Sequence, residues 1–104
     1  MQIVPLQAVP NQTLTIRLGN QVCQLNVYQK GANLYLDLLV NNALIIGGVI
    51  CENLNRIVRS LYLGFSGDLA FIDNQGSDDP VYTGLGGRFS LAYVLPSELL
   101  PNEG

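Results

Sequence analysis

The chain has 104 residues, 48% of them hydrophobic and only 12% charged, with a formal net charge of −3 and no histidine. That length suits one domain spanning residues 1–104, and apolar content this high with so little charge excludes disorder. The charged share is about half that of an ordinary soluble domain, which fits an outside largely covered by neighbouring subunits better than a soluble monomer with an Asn/Gln-rich surface, while the five cations Arg17, Lys30, Arg56, Arg59 and Arg88 are too scattered for a phosphate backbone.

The amino terminus, MQIVPLQAVP, has no basic segment and is broken by Pro5 and Pro10, which speaks against a signal peptide and for synthesis in the cytoplasm. From Thr13 the hydrophobic period is two. Leu14, Ile16 and Leu18 alternate with Thr13, Thr15 and Arg17, and after Gly19-Asn20 the pattern resumes as Cys23, Leu25 and Val27. Gly-Asn is a two-residue hairpin signal. It predicts Leu18 opposite Gln21, Ile16 opposite Cys23 and Leu14 opposite Leu25, so that apolar meets apolar on one face. Lys30-Gly31 marks a further turn, followed by Leu34, Leu36, Leu38 and Val40 alternating with Tyr35, Asp37 and Leu39. Asn41-Asn42 suits a tight turn with positive φ into Leu44-Ile45-Ile46, with a bulge or bend at Gly47-Gly48. The spacing then predicts Val40 opposite Ala43, Leu38 opposite Ile45 and Leu34 opposite Val49, leaving Leu39, Leu44 and Ile46 off the core face. The run 43–51 is too short and too glycine-rich to cross a membrane.

Residues 51–60 read as an irregular connection. Ser60–Phe65 and Asp68–Ile72 read as short strands joined by Ser66-Gly67, Asp73–Pro80 as a loop, Thr83–Gly87 as a glycine-rich turn and Arg88–Leu95 as a strand with Phe89, Leu91 and Tyr93 on one face. Pro96 ends that strand, and Ser97–Leu100 reads as one helical turn. The sum is an all-β chain, a small antiparallel barrel or compact sandwich of six to seven strands joined mainly by hairpins.

Chemistry is sparse. Without histidine there is no ordinary general base, and neither Cys23 nor Cys51 has an identifiable partner, so both read as buried, inert thiols and no enzyme is expected. No cofactor is expected. The loop containing Asp73, Asn74, Gly76, Asp78 and Asp79 offers the hard oxygens that calcium prefers, but an EF-hand's spacing and terminal glutamate are missing, which leaves a solvated turn. Gly84, Gly86 and Gly87 precede a strand rather than a helix, so they lack the dipole of a phosphate loop. What remains is adhesive: Tyr28, Tyr35, Tyr62 and Tyr82 as anchors, joined by Leu39, Leu44 and Ile46 and by the acids Asp73, Asp78 and Asp79 as a candidate interface.

The stretches IVPLQAVPNQTLTIRLGNQVCQLNVYQ, LYLDLLVN and YLGFSGDLAFIDNQGSDDPVYTGLGGRFSLAYV resemble a family of short proteins of tailed bacteriophages and prophages, encoded among tail and baseplate genes. The resemblance spans nearly the whole chain and is most specific over 67–89. It implies a structural protein of the virion tail, a baseplate or tail-hub subunit made in the host cytoplasm, with other tail and baseplate proteins and copies of itself as partners, and without nucleic acid or membrane. It carries no catalytic residues. The competing reading is a small β-barrel that binds carbohydrate or a host surface ligand through Tyr62, Tyr82 and the acids of 73–80.

Overall fold

The computed structural model describes residues 2–59 and 65–95. In chain order the strands are β1 (Gln2–Val4), β2 (Asn11–Leu18), β3 (Gln21–Lys30), β4 (Asn33–Val40), β5 (Ala43–Ile50), β6 (Asp68–Asp73) and β7 (Phe89–Val94), with one 3₁₀ turn at Tyr82–Gly84. They form a four-stranded sheet ordered β2-β3-β4-β5 and a three-stranded sheet ordered β1-β7-β6. All strand pairs are antiparallel. Two sheets with open edges make a sandwich, which decides between the two architectures the sequence allows.

The meander β2–β5 follows from its alternation. The pairs Leu18↔Gln21, Ile16↔Cys23 and Leu14↔Leu25 form as the period predicts. Cys23, Leu25 and Val27 face the same side as Leu34, Leu36, Leu38 and Val40, and all seven are buried. From the other sheet Val4, Leu69, Phe71, Phe89, Leu91 and Tyr93 close over them. Each such aliphatic side chain withdrawn from water contributes about 1.5–3 kcal/mol before the entropy of ordering is subtracted. Strand β1 was absent from the sequence reading: three residues are too few to show a period, and Val4 alone turns inward to face the core.

The β4–β5 register corrects the expectation. Val40 does oppose Ala43, but Leu38 opposes Ile46 rather than Ile45, and Val49 opposes Leu36 rather than Leu34. Two extra residues in β5 cause this. One is Ile45, and the other lies at Gly47-Gly48, where a bend was expected and where Gly48 has φ +63. The first bulge rotates Ile46 toward the core, against which both Ile45 and Ile46 pack, so Ile46 leaves the outer face to which alternation assigned it.

Residues 51–59 are irregular, as expected, and they line the edge of β6 that β7 leaves free. Leu54 N–H donates to the Phe71 carbonyl and Ile57 N–H to that of Leu69, at 2.8 and 2.9 Å. Asp68, 1% exposed, fixes this segment. Its Oδ1 accepts from the amides of Ile57, Val58 and Leu69, and its Oδ2 from the Arg59 amide and Arg56 Nε, all at 2.7–3.1 Å. Ser66 joins the layers: its amide donates to Gln21 Oε1 at 2.8 Å, and its carbonyl accepts the Tyr93 hydroxyl. The Tyr93 ring meets Phe65 edge-to-face with centroids 5.6 Å apart. The predicted strand 60–65 and the turn at 97–100 fall on residues outside the described ones, apart from Phe65, which is not in a strand.

Asp68→Ala strands several buried donors at once, so we expect a loss of roughly 3–5 kcal/mol, read as a lowered urea midpoint with an unchanged slope.

Candidate interaction surface

The outward side chains of β2–β5 form a nearly uncharged face. Thr15, Gln24, Leu39 and Leu44 stand side by side across the four strands, and Asn11, Tyr28, Tyr35 and Ile50 form a second such row. Arg17 and Lys30 lie toward opposite ends of the sheet, and Asp37 lies between the rows. The Tyr28 and Tyr35 rings stack at 6.0 Å with an interplanar angle of 21°. Leu44 is 64% exposed and Ile50 40%. Aliphatic and tyrosine side chains with few charges are what the cores of protein interfaces select.

Asp37 holds this face in order. Its Oδ1 accepts the Gly48 amide at 2.7 Å and the Tyr28 hydroxyl at 3.2 Å, and its Oδ2 accepts Asn26 Nδ2 at 3.2 Å. Thr13 Oγ1 donates in turn to Asn26 Oδ1 at 3.0 Å, so one chain of hydrogen bonds crosses all four strands. The carboxylate thereby satisfies the amide freed by the glycine bulge and fixes the Tyr28 ring. Burial, and after it the nearby Asp37, pushes the Tyr28 phenol above its ordinary range. Asp37 itself is half-buried and engaged on both carboxylate oxygens within the chain.

The loop 73–88 is a separate place. Arg88 grips Asp73 with both nitrogens of a fork, Nε to Oδ1 at 2.9 Å and Nη2 to Oδ2 at 2.8 Å, and Nη2 also reaches Asp78 Oδ2 at 2.9 Å. The amides of Gln75 and Asp78 complete the Asp73 shell. Asp79 Oδ1 accepts the Asn53 amide at 3.0 Å, and Asn53 Oδ1 accepts the Asp73 amide at 2.9 Å. These acids therefore tie the loop to its own chain, and among the described residues no group of three metal-ligating side chains gathers. The bidentate hydrogen bonds from Arg88 hold the Asp73 carboxyl well below the usual range and raise the Arg88 guanidinium. In the glycine turn that follows, Gly86 has φ +80, and a Cβ there would lie 2.5 Å from the Leu6 carbonyl oxygen, so only glycine fits.

Of the ten residues singled out in the sequence, Tyr28, Tyr35, Leu39 and Leu44 share the outer sheet face. Ile46 is turned to the core. Asp73 is enclosed by Arg88, Asp78 is exposed, and Asp79 binds Asn53. Tyr82 packs against the core, its amide held by Gln29 Oε1 at 3.1 Å, and Tyr62 lies outside the described residues. The sequence missed Ile50, which the double bulge carries to a place beside Tyr35, and the exposed Leu54. Both thiols are free and buried. Burial pushes Cys51 up to about 12 and raises Cys23 as well, which keeps them protonated and unreactive.

Because the folded carboxyl of Asp73 is depressed, its contribution is present above the ordinary aspartate value of about 3.9 and is lost as pH falls toward the folded value. Asp73→Asn should lower the thermal midpoint by a constant amount from pH 7 to about 5. The gap to wild type should close below about pH 4, as followed by circular dichroism.

A family model described as "Cyanophage baseplate Pam3 plug gp18" matches residues 1–96. No curated protein matches the chain.

Proposed function

The chain belongs to the cyanophage baseplate plug family, and from that membership we propose that it is a non-enzymatic structural subunit of a phage tail baseplate, seated in the plug or hub region. The observation that carries this is the extent of the match, which takes in every strand from β1 to β7 rather than one motif. The geometry supports it in a second way: the outer face of β2–β5 offers Tyr28, Tyr35, Leu39, Leu44 and Ile50 with few charges among them. We assign that face to contacts with neighbouring baseplate proteins or further copies of this chain.

In this reading the protein works by filling space and adhering. It takes part in the virion tail after synthesis in the host cytoplasm and needs neither nucleic acid nor membrane. Among the described residues no helix is long and apolar enough to cross a membrane. The carbohydrate-binding alternative draws no support from the residues it needs, because Tyr82 packs inward and Asp73 is spent on Arg88.

Mass spectrometry of purified particles from a phage that encodes this chain should find it at a fixed stoichiometry with the tail proteins; particles that are infectious without it would overturn the assignment. Leu44→Lys replaces an exposed side chain and should change stability by no more than about 0.5 kcal/mol. It should nevertheless reduce incorporation into particles, measured by the same quantification.

A further inference from the structure

We propose that the open edge of β2 pairs with the same edge of a second copy of this chain, antiparallel about a two-fold axis at Leu14, so that two four-stranded sheets run on into each other. This contact lies beyond the outer sheet face assigned above, and the baseplate placement does not depend on it.

Three observations lead there. First, β2 is the long, regular edge of the molecule. Of the other sheet edges, β5 is bulged twice, β1 has three residues, and the outer side of β6 is lined by residues 51–59. Strand β2 runs for eight residues without a register shift, with no proline and a single charge, Arg17. It therefore lacks the devices that keep an edge from pairing.

Second, its backbone is set for a partner. The Gln29 N–H donates to the Pro10 carbonyl at 2.8 Å. Antiparallel ladders engage alternate residues, so Gln12, Leu14, Ile16 and Leu18 spend their amides and carbonyls on β3. Those of Asn11, Thr13, Thr15 and Arg17 turn outward, and among the described residues they have no backbone partner. Third, the core side is unfinished at this edge. Leu14 and Ile16 are only half-buried, whereas Leu25 and Cys23, opposite them on β3, are 0% exposed. A strand laid beside β2 covers what is left open.

A second copy is that strand because β2 complements itself. With the axis at Leu14, Asn11 meets Arg17 and Thr13 meets Thr15, so every outward backbone group from 11 to 17 is used. On the core side Leu14 meets Leu14, and no like charges face each other. Moving the axis one residue either way leaves outward groups at one end of the strand unmatched. The contact is isologous and closes at two chains. It sets the two outer faces, each with its Tyr28 and Tyr35, side by side as one broader surface.

The test is sedimentation equilibrium of the purified full chain over a wide range of concentration. The mass should rise to that of two chains and stop there. Thr15→Pro removes an outward N–H, a place where an edge strand admits proline, and should abolish the dimer while the far-ultraviolet circular dichroism stays that of wild type. Asn11 is exposed and faces the partner's Arg17 in this register. Asn11→Arg should weaken the dimer by roughly two- to tenfold, since symmetry makes the repulsion count twice. Asn11→Glu should tighten it, and added salt should shrink both effects. A single-chain mass at every concentration, assemblies larger than two chains, or a dimer indifferent to both Asn11 variants would overturn the pairing. Each of these results leaves the baseplate placement standing, because that reading is decided by the content of the particles.

Discussion

The three-stranded sheet depends on two carboxylates that bracket one strand. Asp68 opens β6 and Asp73 closes it, and each is turned into the protein where water cannot serve it. Asp68 gathers the amides of the irregular segment before the strand, and Asp73 gathers those of the loop after it together with the fork of Arg88. A buried carboxylate is costly unless nearly all its lone pairs are used. Here they are, and among the described residues that are not exposed, no buried side-chain polar atom lacks a partner. The chain can thus afford long irregular stretches because their loose amides converge on fixed charges.

The four-stranded sheet has a different economy. Its inner face is an aliphatic wall, and its outer face is held by neutral donors converging on the Asp37 carboxylate rather than by ion pairs. Such a face loses little on leaving water, since few of its groups carry a full hydration shell. That suits a member of a phage baseplate family. A free monomer of this kind would gain from more surface charge, and the 12% charged content shows that this chain lacks it.

Much of this could be read from the sequence, and the failures have physical reasons. Strict alternation through Leu14–Val27 fixed the β2–β3 register, because a one-residue slip would turn a whole row of apolar side chains to the other face. The same reasoning failed at β5. Alternation assumes one residue for one, and Ile45 with Gly47-Gly48 breaks that count twice. Ile46 went inward and Ile50 took a place beside Tyr35 as a result. The acidic loop was located correctly, but its acids looked like free ligands because Arg88, fifteen residues beyond Asp73, comes close only through the β6–β7 pairing. No pattern announced the exposed Leu54 either, since its amide is held by the Phe71 carbonyl, seventeen residues away in sequence.

The double bulge in β5 has one more effect. A sheet with two regular edges invites each copy to add its first strand to the last strand of the next, and that head-to-tail geometry runs on into a fibre. Bulges and a glycine kink along β5 spoil the hydrogen-bond spacing that such growth requires, whereas β2 keeps its regular spacing. Molecules at high local concentration are thereby steered away from open-ended polymers.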